Sequence, residues 1–168
     1  MSHRETQLTL LSADLAGYAR AAATRDALAV AAFLDEWYRR SAEAIRGRGG
    51  RVVKFIGDGC LATFPADRCR EAVEAAGALQ GAIGPVRTAH GLRVEVGANI
   101  HLAVVAEGDF GPDDDRRYDV LGSGVNHLFL MGGGPGIRIS EPVYQQLPED
   151  QRAAWRRHET LATYTRSR

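Results

Sequence analysis

Apolar and polar positions follow two different periods along this chain, and the switches between them lay out its elements. Gln7 to Asp14 is a short β-prone run that ends on a carboxylate, and Gly17 is free to turn just after it. From Ala27 to Arg46 the spacing is helical, through Leu28, Ala31, Ala32, Leu34, Trp37-Tyr38, Ala42 and Ile45. Thr24 is the expected N-cap there, and Gly47 with Gly49-Gly50 the stop. Val52 to Ile56 and Cys60 to Phe64 are β-prone runs flanking Gly57-Asp58-Gly59. That is a hairpin signal, because Asp-Gly tolerates the positive φ of a tight turn. Pro65-Ala66-Asp67 then opens a second helix, Arg68 to Ile83, with Ala72, Val73, Ala76 and Leu79 on one face. Gly81, Gly84 and Pro85 are expected to break it.

The second half is richer in strands. Leu92 to Val105 alternates over a long stretch, and Ala106 to Asp115 reads as an acidic, solvated loop. Arg117 to Leu121 is a short strand, Gly122-Ser123-Gly124 a turn and Val125 to Met131 an apolar helix. Gly132 to Gly136 is a loop and Ile137 to Ile139 a strand. Ser140 caps a short helix to about Leu147, with Pro142 in its first turn. The tail from Glu149 is polar and Arg-rich, with Trp155 and Tyr164 as anchors and room for a last edge strand. This order predicts an α+β fold: one mixed sheet with helices packed on it, as a single domain over residues 1–168.

Composition changes the picture by exclusion. The 168 residues carry 21 Lys+Arg and 21 Asp+Glu, so net charge gives no argument for nucleic acid or an anionic membrane. Cys60 and Cys69 lack metal-type spacing and read as reduced structural thiols. The polar start has no signal-peptide core, and no apolar run nears the ~20 residues of a membrane helix. A soluble, cytoplasmic protein is expected.

The candidate chemistry lies in polar residues that end or interrupt apolar runs. Lys54, Ile56 and Asp58 would share a face at period two. A Lys in an apolar strand needs a partner for its ammonium. Asp14, Asp58, Asp119 and Asn126 are the other such residues. If the first strand runs beside the hairpin, Asp14 and Asp58 converge into a hard oxygen site for Mg²⁺ or Mn²⁺, and the turn at Gly17-Tyr18 could cradle phosphates. The alternative is that Asp58 is only a turn residue and Asp14 only caps a strand. The five histidines form no ligand spacing, and the Gly132 to Gly136 loop lacks the Lys-Ser/Thr of a phosphate-binding loop.

Several of these stretches resemble class III nucleotide cyclases. Ser12-Ala-Asp14-Leu-Ala-Gly17-Tyr18 is similar to their first metal motif and Val53-Lys54-Phe-Ile-Gly57-Asp58-Gly59 to their second. Arg117-Tyr118-Asp119-Val-Leu-Gly122-Ser-Gly-Val125-Asn126 resembles their purine and transition-state motif, and Pro135-Gly136-Ile-Arg-Ile139-Ser140 their closing strand. The likeness runs from Leu8 to Leu147. It implies a ferredoxin-like βαββαβ core with extra elements, working as a head-to-tail dimer with two composite sites, or as a heterodimer with another cyclase.

By that resemblance Asp14 and Asp58 hold two Mg²⁺ or Mn²⁺ ions, and Gly17 and Tyr18 lie at the phosphates. The partner's Lys54 and Asp119 read the base, and Asn126 orients the ribose. The Lys-Asp pair is the adenylate type, so the implied reaction is ATP to cyclic AMP and pyrophosphate. There are departures. The family's transition-state arginine falls on Leu130, and Tyr18-Ala19 replaces the usual Phe-Thr/Ser. No Lys-Gly motif stands near the C-terminus. Arg116, Arg117 and Arg138 are the candidate substitutes, Arg117 lying within the third motif. The implied readings are a slow adenylate cyclase, or a pseudo-cyclase that binds nucleotide or a cyclase partner.

Overall fold

The structure, a computed structural model, describes residues 3–158 and 162–166. The start at 1–2 and parts of the tail, at 159–161 and 167–168, lie outside them. Along the chain run β1 (Arg4–Ala16), α1 (Tyr18–Ala22), α2 (Ala27–Arg46), β2 (Arg51–Ile56), β3 (Gly59–Pro65), α3 (Cys69–His90) and β4 (Glu95–Phe110). There follow β5 (Arg117–Leu121), α4 (Ser123–Leu130), β6 (Gly136–Ser140), α5 (Glu141–Gln146), α6 (Glu149–Arg152), β7 (Trp155–Arg157) and β8 (Thr163–Arg166).

These strands form one sheet in the order β2-β3-β1-β4-β6-β8-β7, with β5 paired to the far end of β4. β2, β3, β1 and β4 pair antiparallel, which is the expected βαββαβ core. β4 and β6 pair in parallel, with α4 in the connection between them.

Alternation along the strands divides the side chains between two faces. On one face α2 and α3 cover a large core that includes Leu11, Phe33, Trp37, Ile45, Leu79, Ile100 and Ile139. On the other, α4 covers a small core of Leu10, Leu61, Val105, Val120, Leu128 and Met131. The rest of that second face is open, and it carries the candidate site.

Local outcomes depart from the sequence pattern in several places. Asp26, not Thr24, caps α2: its carboxylate accepts from Ala29 N at 2.8 Å. Thr24 falls in the link from α1, a helix the pattern did not announce. α3 does not stop at Ile83 but runs through Pro85 to a left-handed Gly91. Pro85 faces solvent while Ile83 and Val86 are buried, so the missing backbone bond falls on the wet side of a helix held by its apolar side. β4 extends past Val105 because residues Ala106 to Phe110 pair with β5, and the acidic loop shrinks to residues 111–116. The tail forms two strands, with Trp155 buried and Tyr164 stacked on Tyr144.

Candidate active site

The hairpin expected at Gly57-Asp58 is present, with Ile56 opposite Gly59. The positive φ falls on Gly57, at 59°, and not on Asp58. Glycine at the first loop position with an ordinary second residue is the II′ pattern. The loop tip is held from both sides. Asp58 Oδ2 accepts from Leu15 N at 2.8 Å, one residue past Asp14. From α2, Trp37 Nε1 donates to Asp58 O at 3.0 Å and Tyr38 Oη donates to Gly57 O.

Asp14 and Asp58 therefore meet. Both line a cavity of about 220 Å³ on the open face, together with Ser12, Asn99, Phe129 and Arg138. Asp14 lies opposite Gly97 of β4, where an added Cβ would stand 2.9 Å from Asp14 Oδ1 and 2.3 Å from Gly134 O. The glycine leaves room for the carboxylate. Partial burial raises the Asp14 carboxyl above its ordinary range, the Asp58 charge adds to the rise, and Arg138 opposes it. Two converging carboxylates that repel each other, in a cradle kept clear by glycine, fit a hard divalent cation. Among the described residues no cluster of three or more His, Cys, Asp or Glu forms a metal cage. Such an ion would keep positions for water or phosphate oxygens.

Lys54 and Asp119 form a second set. Lys54 Nζ donates to Asp119 Oδ2 at 2.6 Å, and Asp119 Oδ1 accepts from Val120 N at 2.8 Å. A bulge makes this pairing possible. Val52 lies opposite Ala62 but Lys54 opposite Leu61, so Val53 is an extra residue. Val52 and Phe55 then both pack on the large core, while Val53 packs on the small one. Lys54 shares the open face with Leu61. Period two alone would not place Val52 and Phe55 on one face.

The two sets stay apart: neither Lys54 nor Asp119 lines the cavity of Asp14 and Asp58. Asn126 is exposed on α4 and also lies outside that cavity. Gly17, at φ 87°, turns the chain from β1 into α1. Tyr18 packs against the large core and stacks on Phe33 at 6.3 Å. Around this turn a wider cleft of about 820 Å³ is lined by Arg20, Arg25 and Arg93, with Asp58 on its edge. Arg117 is held elsewhere, its Nε and Nη2 donating to the two oxygens of Asp115.

Sequence reasoning missed Asn99 and the arginines of the wider cleft. The signal for Asn99 was its place on one face of β4 between Gly97 and His101, where alternation exposes non-apolar residues in an otherwise apolar strand. His101 shares a hydrogen bond with Ser140 Oγ at 2.9 Å and lies 4.6 Å from His127, ring to ring. Arg93 is distant in sequence from Arg20 and Arg25, and none of the three carries a local signature.

The model of the adenylate and guanylate cyclase catalytic domain matches residues 1–162. An adenylate cyclase from Anabaena cylindrica is 27% identical over 154 residues, which are 84% of this chain and 31% of that protein. The chain thus spans about a third of that relative's length. The crystal structure of the adenylyl cyclase CyaB from P. aeruginosa superposes with a TM-score of 0.87 at 19% identity, over 100% of this chain and 97% of that one. The guanylyl cyclase Cya2 superposes with a TM-score of 0.85 at 21% identity, over 99% and 93%.

Proposed function

The chain belongs to the adenylate and guanylate cyclase catalytic domain family, and on that premise we propose that it converts ATP to 3′,5′-cyclic AMP and pyrophosphate. In this reaction the ribose 3′-oxygen bonds to the α-phosphorus, its proton is lost, and the bond to the pyrophosphate oxygen breaks. The observation that carries the reading is the separation of two polar sets on one open face. Asp14 with Asp58 makes an anionic pair at one place, and Lys54 with Asp119 makes a donor and acceptor at another. Separate half-sites of this kind suit a head-to-tail dimer in which each nucleotide touches both subunits. Exposed Val104, Leu121, Phe129 and Leu130 supply apolar surface for it.

Asp14 and Asp58 would hold two divalent cations, which when bound activate the 3′-hydroxyl and offset the triphosphate charge. Asp58 is kept in place for this by Leu15 N, Trp37 and Tyr38. Lys54 donates to adenine N1 and Asp119 accepts from the 6-amino group. Their ion pair keeps each group solvated by the other until a base arrives. Asn126 orients the ribose. Arg20 and Arg93 give the wider cleft a positive lining suited to the triphosphate tail. The adenylate cyclase from Anabaena cylindrica supports adenine over guanine. Among the described residues no helix is long and apolar enough to cross a membrane.

A second reading has one observation in its favour. Leu130 is 79% exposed at the end of α4, where the family resemblance calls for an arginine. A leucine there supplies no charge, so the protein would bind nucleotide with little turnover. Incubation with ATP and Mn²⁺, with cyclic AMP as the readout, separates the two. Product that depends on Asp58 and exceeds that from GTP supports the cyclase. ATP binding without product at high protein concentration supports the second reading. A chain that stays monomeric at every concentration would remove the composite site.

A further inference from the structure

Among the described residues, Arg138 is the one cationic side chain that lines the cavity of Asp14 and Asp58. It projects from β6, in parallel register with Asn99 of β4. Together the two side chains hold the loop above them by its carbonyls. Asn99 Nδ2 donates to Leu128 O at 3.1 Å and Gly132 O at 3.0 Å. Arg138 Nη2 donates to Gly133 O, to Gly134 O at 3.2 Å and to Pro135 O at 3.4 Å, and Nη1 to Gly134 O at 3.3 Å. The loop therefore turns carbonyl oxygens, not N–H groups, toward the cavity wall. It is not a phosphate cradle by itself.

The guanidinium that binds those carbonyls keeps its charge. Burial works against that charge and Asp14 works for it. Yet Arg138 forms no ion pair with either aspartate within 4 Å, among the described residues. It is an unpaired, half-buried cation beside two carboxylates. Asn99 next to it is 93% buried from solvent, and its Oδ1 has no hydrogen-bond partner. The unpaired cation on this wall is complementary to an anionic occupant, whereas the orphaned Asn99 Oδ1 is an acceptor that a donor or a cation, not a phosphoryl oxygen, would satisfy.

We propose that Arg138 is a phosphate-contacting residue of this site, placing its guanidinium against a phosphoryl oxygen of the nucleotide and offsetting charge that grows as pyrophosphate departs, with Asn99 as its positioning residue. This rests on the cyclase reading above and deepens it. The charge comes from β6 of the subunit that supplies Asp14 and Asp58, not from the end of α4. A guanidinium held at the wall by four hydrogen bonds to loop carbonyls needs little reorganisation to act, which is the condition for effective electrostatic stabilisation. The competing role is that of a loop clamp alone.

The test uses the full chain with Mn²⁺. Arg138→Gln keeps an amide donor for the loop carbonyls and removes the charge, while Arg138→Lys keeps the charge and removes the fork. The expected result is a fall in kcat of about 10²–10³-fold for the Gln variant, a smaller fall for Lys and an unchanged melting temperature. Added guanidinium at low millimolar concentration should restore part of the activity of Arg138→Ala. Calorimetric binding of pyrophosphate with Mn²⁺ should weaken about tenfold in Arg138→Gln. A kcat within about threefold of wild type in Arg138→Gln overturns the proposal. So does a loss that tracks unfolding and that guanidinium does not rescue. If wild type makes no cyclic AMP, the cyclase reading fails, and pyrophosphate binding alone decides on Arg138: equal affinity in wild type and variant overturns it, weaker affinity in the variant supports it.

Discussion

The two faces of the sheet are built from the same strands, residue by alternate residue, yet their side chains have separate duties. On the face under α2 and α3, β1 contributes Leu11, Ala13 and Leu15, and β4 contributes Val96, Ala98, Ile100 and Leu102. On the other, β1 contributes Leu10 and then Ser12 and Asp14, and β4 contributes Gly97, Asn99 and His101 before returning to apolar Ala103 and Val105. Over residues 10–15 of β1 and 96–105 of β4, each strand is thus apolar on the side under α2 and α3 and mixed on the other. The closed face stabilises, and the open face can give up stability for chemistry because the closed one does not.

The sharpest way to break this comparison is to damage each face once. Asp58→Ala should lower product formation by more than ~10²-fold, beyond the loss typical of outer-shell metal contacts. It should cost about 1 kcal/mol of stability, from the lost bond to Leu15 N. Mn²⁺ should raise the melting temperature of wild type but not of this variant. Leu79→Ala, a fully buried truncation under α3, should do the reverse. It should cost about 2–5 kcal/mol and leave turnover per folded molecule unchanged. Denaturant melts beside steady-state assays check both. A large stability loss from Asp58→Ala would show that the open face also holds the fold together.

Next in size is the base pair of residues. Lys54→Ala removes an ammonium held by Asp119 at 2.6 Å. It should reduce kcat/KM for ATP by about 10–100-fold and leave the lower GTP rate nearly unchanged, since a site built to hydrogen-bond a group discriminates by leaving its own polar atoms unpaired. Equal losses for both nucleotides would mean that the pair positions the sheet edge rather than reads a base.

The closed face was the more legible in sequence. Its helices announced themselves by period, and the hairpin by Gly-Asp-Gly between apolar runs. Errors there were local and had simple causes. Pro85 reads as a stop because its missing N–H is visible in sequence, whereas the burial of Ile83 and Val86 on either side is not. The open face was legible mainly through resemblance. Asp14 and Asp58 are 44 positions apart and meet only through the β1–β3 pairing. Lys54 reaches Asp119 only because Val53 bulges, and a bulge leaves no mark in an apolar run. Among candidate arginines, Arg117 lay in a motif and is bound to Asp115, while Arg138 lay in an ordinary strand and lines the cavity. Which arginine matters depends on register, and register is a long-range property.

A smaller effect sharpens the comparison at the end of α4. Leu130→Arg places a cation on an exposed position of the open face. With Arg138 already supplying a cation and nothing positioning the new side chain, it should raise turnover by less than about tenfold, well short of the ~10²–10³-fold worth of a preorganised donor. An unchanged rate, with wild-type activity present, would show that the site already has its cation, as Arg138 would provide.

The smallest effect is one of pH, and it tests whether the open face costs stability. His101 sits on that face between Ser140 and His127, and burial followed by the His127 ring pushes its pKa down to about 4 from an ordinary 6.5. Between those values the unfolded chain binds a proton there that the folded chain refuses. Stability is therefore full above about pH 6.5 and falls as the pH drops toward 4. Asp14, whose carboxyl is raised, works in the opposite sense, because the folded chain holds its proton more tightly than the unfolded one. Replacing His101 with Gln keeps a polar contact for Ser140 and removes the titration. Denaturant melts of wild type and His101→Gln at several pH values should show a shallower loss in the variant across that window. Parallel curves would mean that the ring is accommodated in its charged form, and that this part of the open face carries no stability cost.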